Sequence, residues 1–237
     1  MSTKEFKNGV ISATLGSLWW GVLGTYFFQF ITFAGTLEVV VHRVIWTSFV
    51  LFLTTLIFKK WNLLKKNILN KKNFFILFIT SILIFSNWSA WIYAVATNRI
   101  IDASYGYFIF PILTVFLDYL FLNEELNKKR IFSIIIVLGS SLYLALNLSV
   151  FPWIGLLVAI LWATYTLLRK LINVETDIGL FIESLFILPI AIAVFYLIFQ
   201  KGMNDFSLDN PIIMFYLFLA GPMTVIPLFL FIKGVEK

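Results

Sequence analysis

The sequence predicts an all-α polytopic membrane protein, and three observations carry that prediction. Of its 237 residues 61% are apolar and 13% charged, with a mean hydropathy of +0.96, where soluble domains hold about 25% charged residues. The apolar residues gather into eight runs, each near the roughly 20 residues that a helix needs to cross a bilayer. These runs are apolar on every face, without the polar/apolar alternation of a membrane β-barrel.

Taken in order, the first span runs from Val10 to Phe33. Its Lys4/Lys7 start is like that of a signal peptide, but the apolar run is too long and lacks a small-x-small cleavage site, so it reads as a retained helix. Span two, Leu37 to Phe58, is closed by the Lys59-to-Lys72 stretch, which reads as a polar break. Span three covers Phe74 to Thr97, and span four, Ala103 to Leu122, stops at Asn123-Glu124-Glu125. Spans five (Ile131 to Leu148) and six (Phe151 to Leu168) flank the break from Asn147 to Pro152. Span seven is Ile178 to Phe199, and Asp209-Asn210-Pro211 introduces span eight, Ile212 to Ile232.

The basic residues test the count. With the N-terminus inside, fifteen of the 18 Lys and Arg fall on the cytoplasmic side and only Arg43, Arg99 and Lys201 on the other, as expected when basic loops are retained in the cytoplasm. Both termini are then cytoplasmic, and the Lys-, Ile-, Asn- and Phe-rich vocabulary suggests an AT-rich bacterial genome, hence a bacterial inner (plasma) membrane. The net charge of +6 reads as topology facing lipid headgroups, with no nucleic acid as partner. Absence of cysteine and a single histidine exclude disulfides, thiolate metal sites and histidine clusters, so neither metal nor cofactor is expected. No G-x-x-x-x-G-K-[ST] loop is present to bind a nucleotide.

An internal repeat is visible. Trp20 falls on Trp162 at an offset of 142, and at 141 span two falls on span seven, setting His42-Arg43 against Glu183-Ser184. Five spans separate the copies, an odd number, so the second is inverted. The expected units are residues 1–149, with spans one to five, and 150–237, with spans six to eight.

Charge at membrane depth costs about 2.5 kcal/mol or more on insertion scales, which singles out His42, Arg43, Asp118 and Glu183. Arg43 can snorkel outward or pair with another helix, Glu38 and His42 share a face at i, i+4, and histidine is the side chain that exchanges a proton near neutral pH. Glu183 is a candidate for gating or proton handling, with a hydrogen bond to a neighbouring helix as the plainer alternative. Asp118, one turn from the end of span four, reads as hydrated. Asn87, Trp88 and Trp91 share a helical face that could line a solute cavity or lie in an interfacial aromatic belt, as could Trp20 and Trp162. Pro111, Pro189, Pro222 and Pro227 each free a backbone carbonyl one turn earlier. With Gly106 and Tyr107 they are read as hinge or packing positions.

His42-Arg43-Val44-Ile45-Trp46, Asn87-Trp88, and Ala103-Ser104-x-Gly106-Tyr107-Phe108-x-x-Pro111 followed by Asn123-Glu124 resemble the EamA-type drug/metabolite transporters, particularly their RarD branch. Ile182-Glu183 with Leu188-Pro189, and Val225-Ile226-Pro227-Leu228, fit the second half of that pattern. The resemblance implies an inverted-repeat transporter of the 5+5 helix type and a permease for small amphipathic organic solutes or drugs, coupled to protons or facilitated. It also implies a link to chloramphenicol resistance. Against that pattern only eight of ten helices precede Val235-Glu236-Lys237, so the sequence is expected to be a fragment, a truncated product, or a carrier completed by a second copy or a complementing subunit. A non-transporting remnant or assembly subunit is the competing reading. An intramembrane hydrolase pairing His42 with Ser140 or Ser141 is the weaker one, since no nucleophile-elbow motif accompanies the histidine. The chain is not expected to be an enzyme.

Overall fold

A computed structural model describes residues 3–147 and 151–235. Ten α-helices run through them: α1 (Thr3–Leu18), α2 (Thr25–Phe30), α3 (Thr36–Ile57), α4 (Trp61–Leu69), α5 (Lys71–Ala96), α6 (Ile100–Leu122), α7 (Lys128–Asn147), α8 (Trp153–Lys170), α9 (Thr176–Gln200) and α10 (Pro211–Val235). There is no strand among the described residues. A π-helical turn at Trp19–Gly24 joins α1 to α2, and a 3-10 turn at Ile31–Phe33 closes them into one crossing. Eight stretches are long and apolar enough to span a membrane, and they coincide with the eight apolar runs to within a few residues. The protein is therefore an all-α polytopic membrane protein. The Leu148 end of span five and the 149/150 boundary between the expected units lie outside the described residues.

One element departs from the sequence reading. The Lys59-to-Lys72 stretch is not a simple break, because α4 occupies most of it and turns Leu64 and Asn67 inward. Nine residues with two adjacent lysines are too short and too polar to register as an apolar run. A helix of that length holds by packing one face against a larger body.

Helix ends follow from local stereochemistry. The chain leaves α3, α5, α6 and α9 through one residue each in the left-handed region: Lys59, Asn98, Asn123 and Gly202. That conformation lets the next N–H reach back five residues, as Lys60 does to Thr55, Arg99 to Ala94 and Met203 to Ile198. Only Gly202 adopts it without a Cβ. The prolines freeing carbonyls do not end their helices, since α6 continues through Pro111, α9 through Pro189, and α10 through Pro222 and Pro227.

The chain divides into two compact units, Met1–Leu77 with Val174–Lys237, and Phe78–Asn173. In the first, α1 lies along α10, α10 crosses α3, α3 lies along α9, and α4 rests on α9. Gly221 makes the α10–α3 crossing possible, because a Cβ there would stand 2.5 Å from the Trp46 carbonyl carbon. In the second, α6 packs on α8 and α7. A Cβ on Gly106 would collide with the Gly155 carbonyl oxygen, and one on Gly155 with that of Asp102. Helices without a hydrophobic force between them gain from such backbone approach. Ala94, Ala103, Ile154 and Val158 form the small-residue core beside it, with Ala90 and Trp91 packed against them.

Candidate functional site

Glu38, His42 and Trp46 recur every four residues on one face of α3. Glu38 and His42 are almost wholly buried, at 1% and 2% exposure. The Glu38 carboxylate is satisfied by the chain between α9 and α10, accepting from the Asp205 N–H at 2.9 and 3.1 Å and from the Phe206 N–H at 3.0 Å. Trp46 donates its indole N–H to His42 Nδ1 at 3.2 Å. A neutral ring then carries its hydrogen on Nε2, which stands 3.6 Å from Glu38 Oε1, just beyond a formed hydrogen bond. The Phe206 ring stacks on His42 at 4.5 Å and Phe195 meets it edge-on at 4.9 Å. Asp205 sits outside the spans. Its burial and the neighbouring Glu38 charge push its carboxyl above the usual range, against a backbone hydrogen bond from Gly35.

Arg43 does not reach outward. It is buried, with Nε donating to Thr224 Oγ1 at 2.9 Å and the guanidinium over the Phe28 ring at 4.7 Å. Thr224 passes the interaction on, its hydroxyl donating to the Ala220 carbonyl. Three helices are pinned at one cation.

A second polar cluster closes the far end of the same helix pair. Lys60, just beyond α3, donates to Asp177 Oδ2 at 2.5 Å and Glu175 Oε2 at 2.7 Å at the start of α9. Burial works against the Lys60 charge, but the two carboxylates outweigh it and raise its pKa above the ordinary lysine value. The contacts Lys60–Asp177 and His42–Phe195 fix the register: eighteen residues back along α3 match eighteen forward along α9. The helices are antiparallel, and these two levels lie about 27 Å apart at 1.5 Å per residue, close to the roughly 30 Å of a hydrocarbon core. On that register Glu183, 1% exposed, is level with Thr54, about 16 Å along the axis from Arg43. On this register His42-Arg43 and Glu183 lie in opposite halves of the pair.

In the second unit Asn87 donates to the Val158 carbonyl at 3.1 Å, tying α5 to α8. Trp88 is buried, Trp91 joins the small-residue core, and Trp162 stacks on Tyr165 at 5.2 Å. Trp20 is half-buried in the π-helical turn of the first unit. Tyr107 and Pro111 are exposed on α6, as is Pro189 on α9, while Gly106 and Pro227 are buried. The Ser140 hydroxyl donates to Ile136, and Ser141 is buried in α7. Asp118, read as hydrated, is instead 4% exposed and takes the Lys170 ammonium at 2.5 Å. Asp102 joins Arg99 at 2.5 Å to the Gly155 N–H at 2.9 Å. Sequence reasoning passed over Asp102, Asp177 and the loop-capping role of Glu38. The available signal was that each is an acid in the first turn of an apolar span, where the helix dipole favours negative charge. Among the described residues no group of three His, Asp or Glu could hold a metal ion.

Comparison with known proteins agrees with this architecture. The EamA-like transporter family matches residues 7–146. The Bacillus subtilis protein named uncharacterized transporter YojE is 33% identical over the whole chain and 80% of its own length. Protein RarD of Escherichia coli is 30% identical over the same shares. The Pseudomonas aeruginosa protein named chloramphenicol-sensitive protein RarD is 27% identical over 68% of this chain and 55% of its own. No solved structure matches the chain. The match across more than half the sequence, together with eight apolar helices, establishes that the chain belongs to the EamA-like transporter family, in its RarD branch, as a multi-pass membrane permease of the drug/metabolite kind.

Proposed function

We propose that the protein is a secondary carrier that exports small amphipathic organic solutes or drugs by alternating access. Its termini are cytoplasmic and its two repeats, 1–149 and 150–237, inverted. The observation that carries this reading is the pair of polar latches at the two ends of α3 and α9: Glu38 on the Asp205–Phe206 backbone at one, Lys60 on Asp177 and Glu175 at the other. A carrier must open each end separately, and two chemically different closures make that possible. The inverted repeat draws support from element spacing, since α9 starts 140 residues after α3 and α10 starts 140 after α5. His42 is the proton-handling residue in this reading, faced by Glu38, Trp46, Phe195 and Phe206. Arg43 and Glu183 serve the two ends, the solute-contact candidates are Asn87, Trp88, Trp91 and Trp162 within the second unit and Trp20 within the first, and Gly106, Tyr107, Pro111, Pro189 and Pro227 accommodate the motion.

Counterflow in reconstituted vesicles tests this. The probes are labelled chloramphenicol, chosen because a relative bears that word in its name, and aromatic amino acids. Saturable counterflow lost in His42→Ala and Glu183→Gln supports the reading. No flux for any probe, or flux equal in both variants, overturns it.

A further inference from the structure

Between Lys59 and Lys72 the sequence KKWNLLKKNILNKK carries six lysines and no acid. Only Lys60 is committed to carboxylates. Lys59, Lys65, Lys66, Lys71 and Lys72 are exposed and enter no ion pair among the described residues. The turn that carries them is braced by side-chain hydrogen bonds. Asn67 donates to the Leu63 carbonyl and accepts from Asn73, while the Asn70 side chain accepts from the Asn73 N–H at the start of α5.

Two features of this turn face outward. The first is that Lys71 and Lys72 open α5, whose first turn has no acid, although a helix N-terminus repels cations and binds anions. Their own backbone N–H groups find no acceptor among the described residues. At α7 the same arrangement, Lys128-Lys129-Arg130, is compensated from within: Asn127 caps the Arg130 N–H and Glu124 pairs with its guanidinium at 2.9 Å. At α5 Asn70 caps the Asn73 N–H in the same way, but among the described residues no carboxylate pairs with Lys71 or Lys72. The second feature is an apolar strip. Trp61 and Ile68, seven residues apart on α4, are 40% and 38% exposed, and Trp61 meets the exposed Phe52 of α3 at 5.7 Å. An amphipathic helix with lysines beside such a strip is suited to the membrane interface.

We propose that α4 and the first turn of α5 form a binding site for an anionic phospholipid. Its phosphate sits at the α5 N-terminus among Lys65, Lys66, Lys71 and Lys72, and its acyl chains lie along Trp61, Ile68 and Phe52. The inference is independent of which solute is carried.

The test uses the full chain in phosphatidylcholine-containing micelles, with thermal unfolding and native mass spectrometry as readouts. Phosphatidylglycerol should bind about tenfold or more tightly than phosphatidylcholine, given roughly 1 kcal/mol per interfacial lysine, and high salt should erase the preference. The quadruple Lys→Gln variant at positions 65, 66, 71 and 72 should lose it, whereas quadruple Lys→Arg should keep it and shows that the site folds. Lys128→Gln with Lys129→Gln should leave it intact. The proposal fails if the Gln variant retains the preference or if the α7 variant loses as much. It also fails if glycerol phosphate without acyl chains stabilises the protein equally, which would make this a soluble-anion site.

Discussion

At Glu38 a single side chain closes one end of a transmembrane helix pair, and its chemistry predicts what substitution does. Two backbone donors reach it from the loop after α9. Glu38→Ala leaves both without an acceptor and should destabilise the fold by about 2 kcal/mol, whereas Glu38→Gln keeps one acceptor oxygen and should cost less. Thermal unfolding of the two variants in detergent checks the order. Asp205 behaves in the opposite sense. Burial and the Glu38 charge raise its folded pKa above the usual value, so its ionised form works against folding, and that penalty is absent below the unfolded pKa and sets in as pH rises through the folded one. Asp205→Asn should therefore be more stable than the parent at neutral pH. The gap should close as pH falls into the carboxylate range, and a pH series of melting temperatures would show it constant if this account were wrong. The sequence made the Glu38/His42 face visible, because i, i+4 spacing is local. It could not show that Asp205 and Phe206, 167 and 168 residues away, are the actual partners of the carboxylate.

For whole elements, legibility follows length and periodicity. Eight spans could be read because each is an uninterrupted apolar run near 20 residues, while α4 could not, since its one buried face is defined only by the body beneath it. Helix contacts were legible where backbone approach demands glycine. Gly106 was read as a packing position, but its counterpart Gly155 lies in another helix and carries no motif. Gly106→Ala and Gly155→Ala should each cost about 1–3 kcal/mol, because the added methyl meets a backbone carbonyl that cannot rotate away. The double variant should cost less than the two combined, since both push the same helices apart. Gly139→Ala provides the contrast. Nothing lies within 4 Å of a Cβ at Gly139 in α7, so alanine there should be neutral or stabilise by up to about 1 kcal/mol through helix propensity. Unfolding curves for the four variants decide between a packing role and a general intolerance of substitution.

For the molecule as a whole, the antiparallel α3–α9 pair links the two closures across a membrane's thickness, and their different chemistry sets how each responds to conditions. The Lys60 latch is insensitive to pH near neutrality. Its pKa is raised in the fold, so the stability it contributes is complete below the ordinary lysine value of about 10.5 and is lost only as pH rises through the higher folded value. Any neutral-range pH dependence of transport must then arise elsewhere, and Lys60→Gln should leave the shape of that dependence unchanged while loosening its own end. The opposite end can be held mechanically. Because the chain has no cysteine, a pair introduced at Gly35 and Asp205, joined in the fold by a backbone-to-carboxylate hydrogen bond, would be the sole target of a short bis-methanethiosulfonate, which forms a reducible disulfide with each thiol. Cross-linking should abolish counterflow of any transported probe, and reductive release of the link should restore it, because the alternating access proposed above requires this end to open once per cycle. Undiminished flux in the fully cross-linked protein would show that solute moves without separating the Asp205–Phe206 segment from α3, and the Glu38 contact would then be a structural cap rather than a gate.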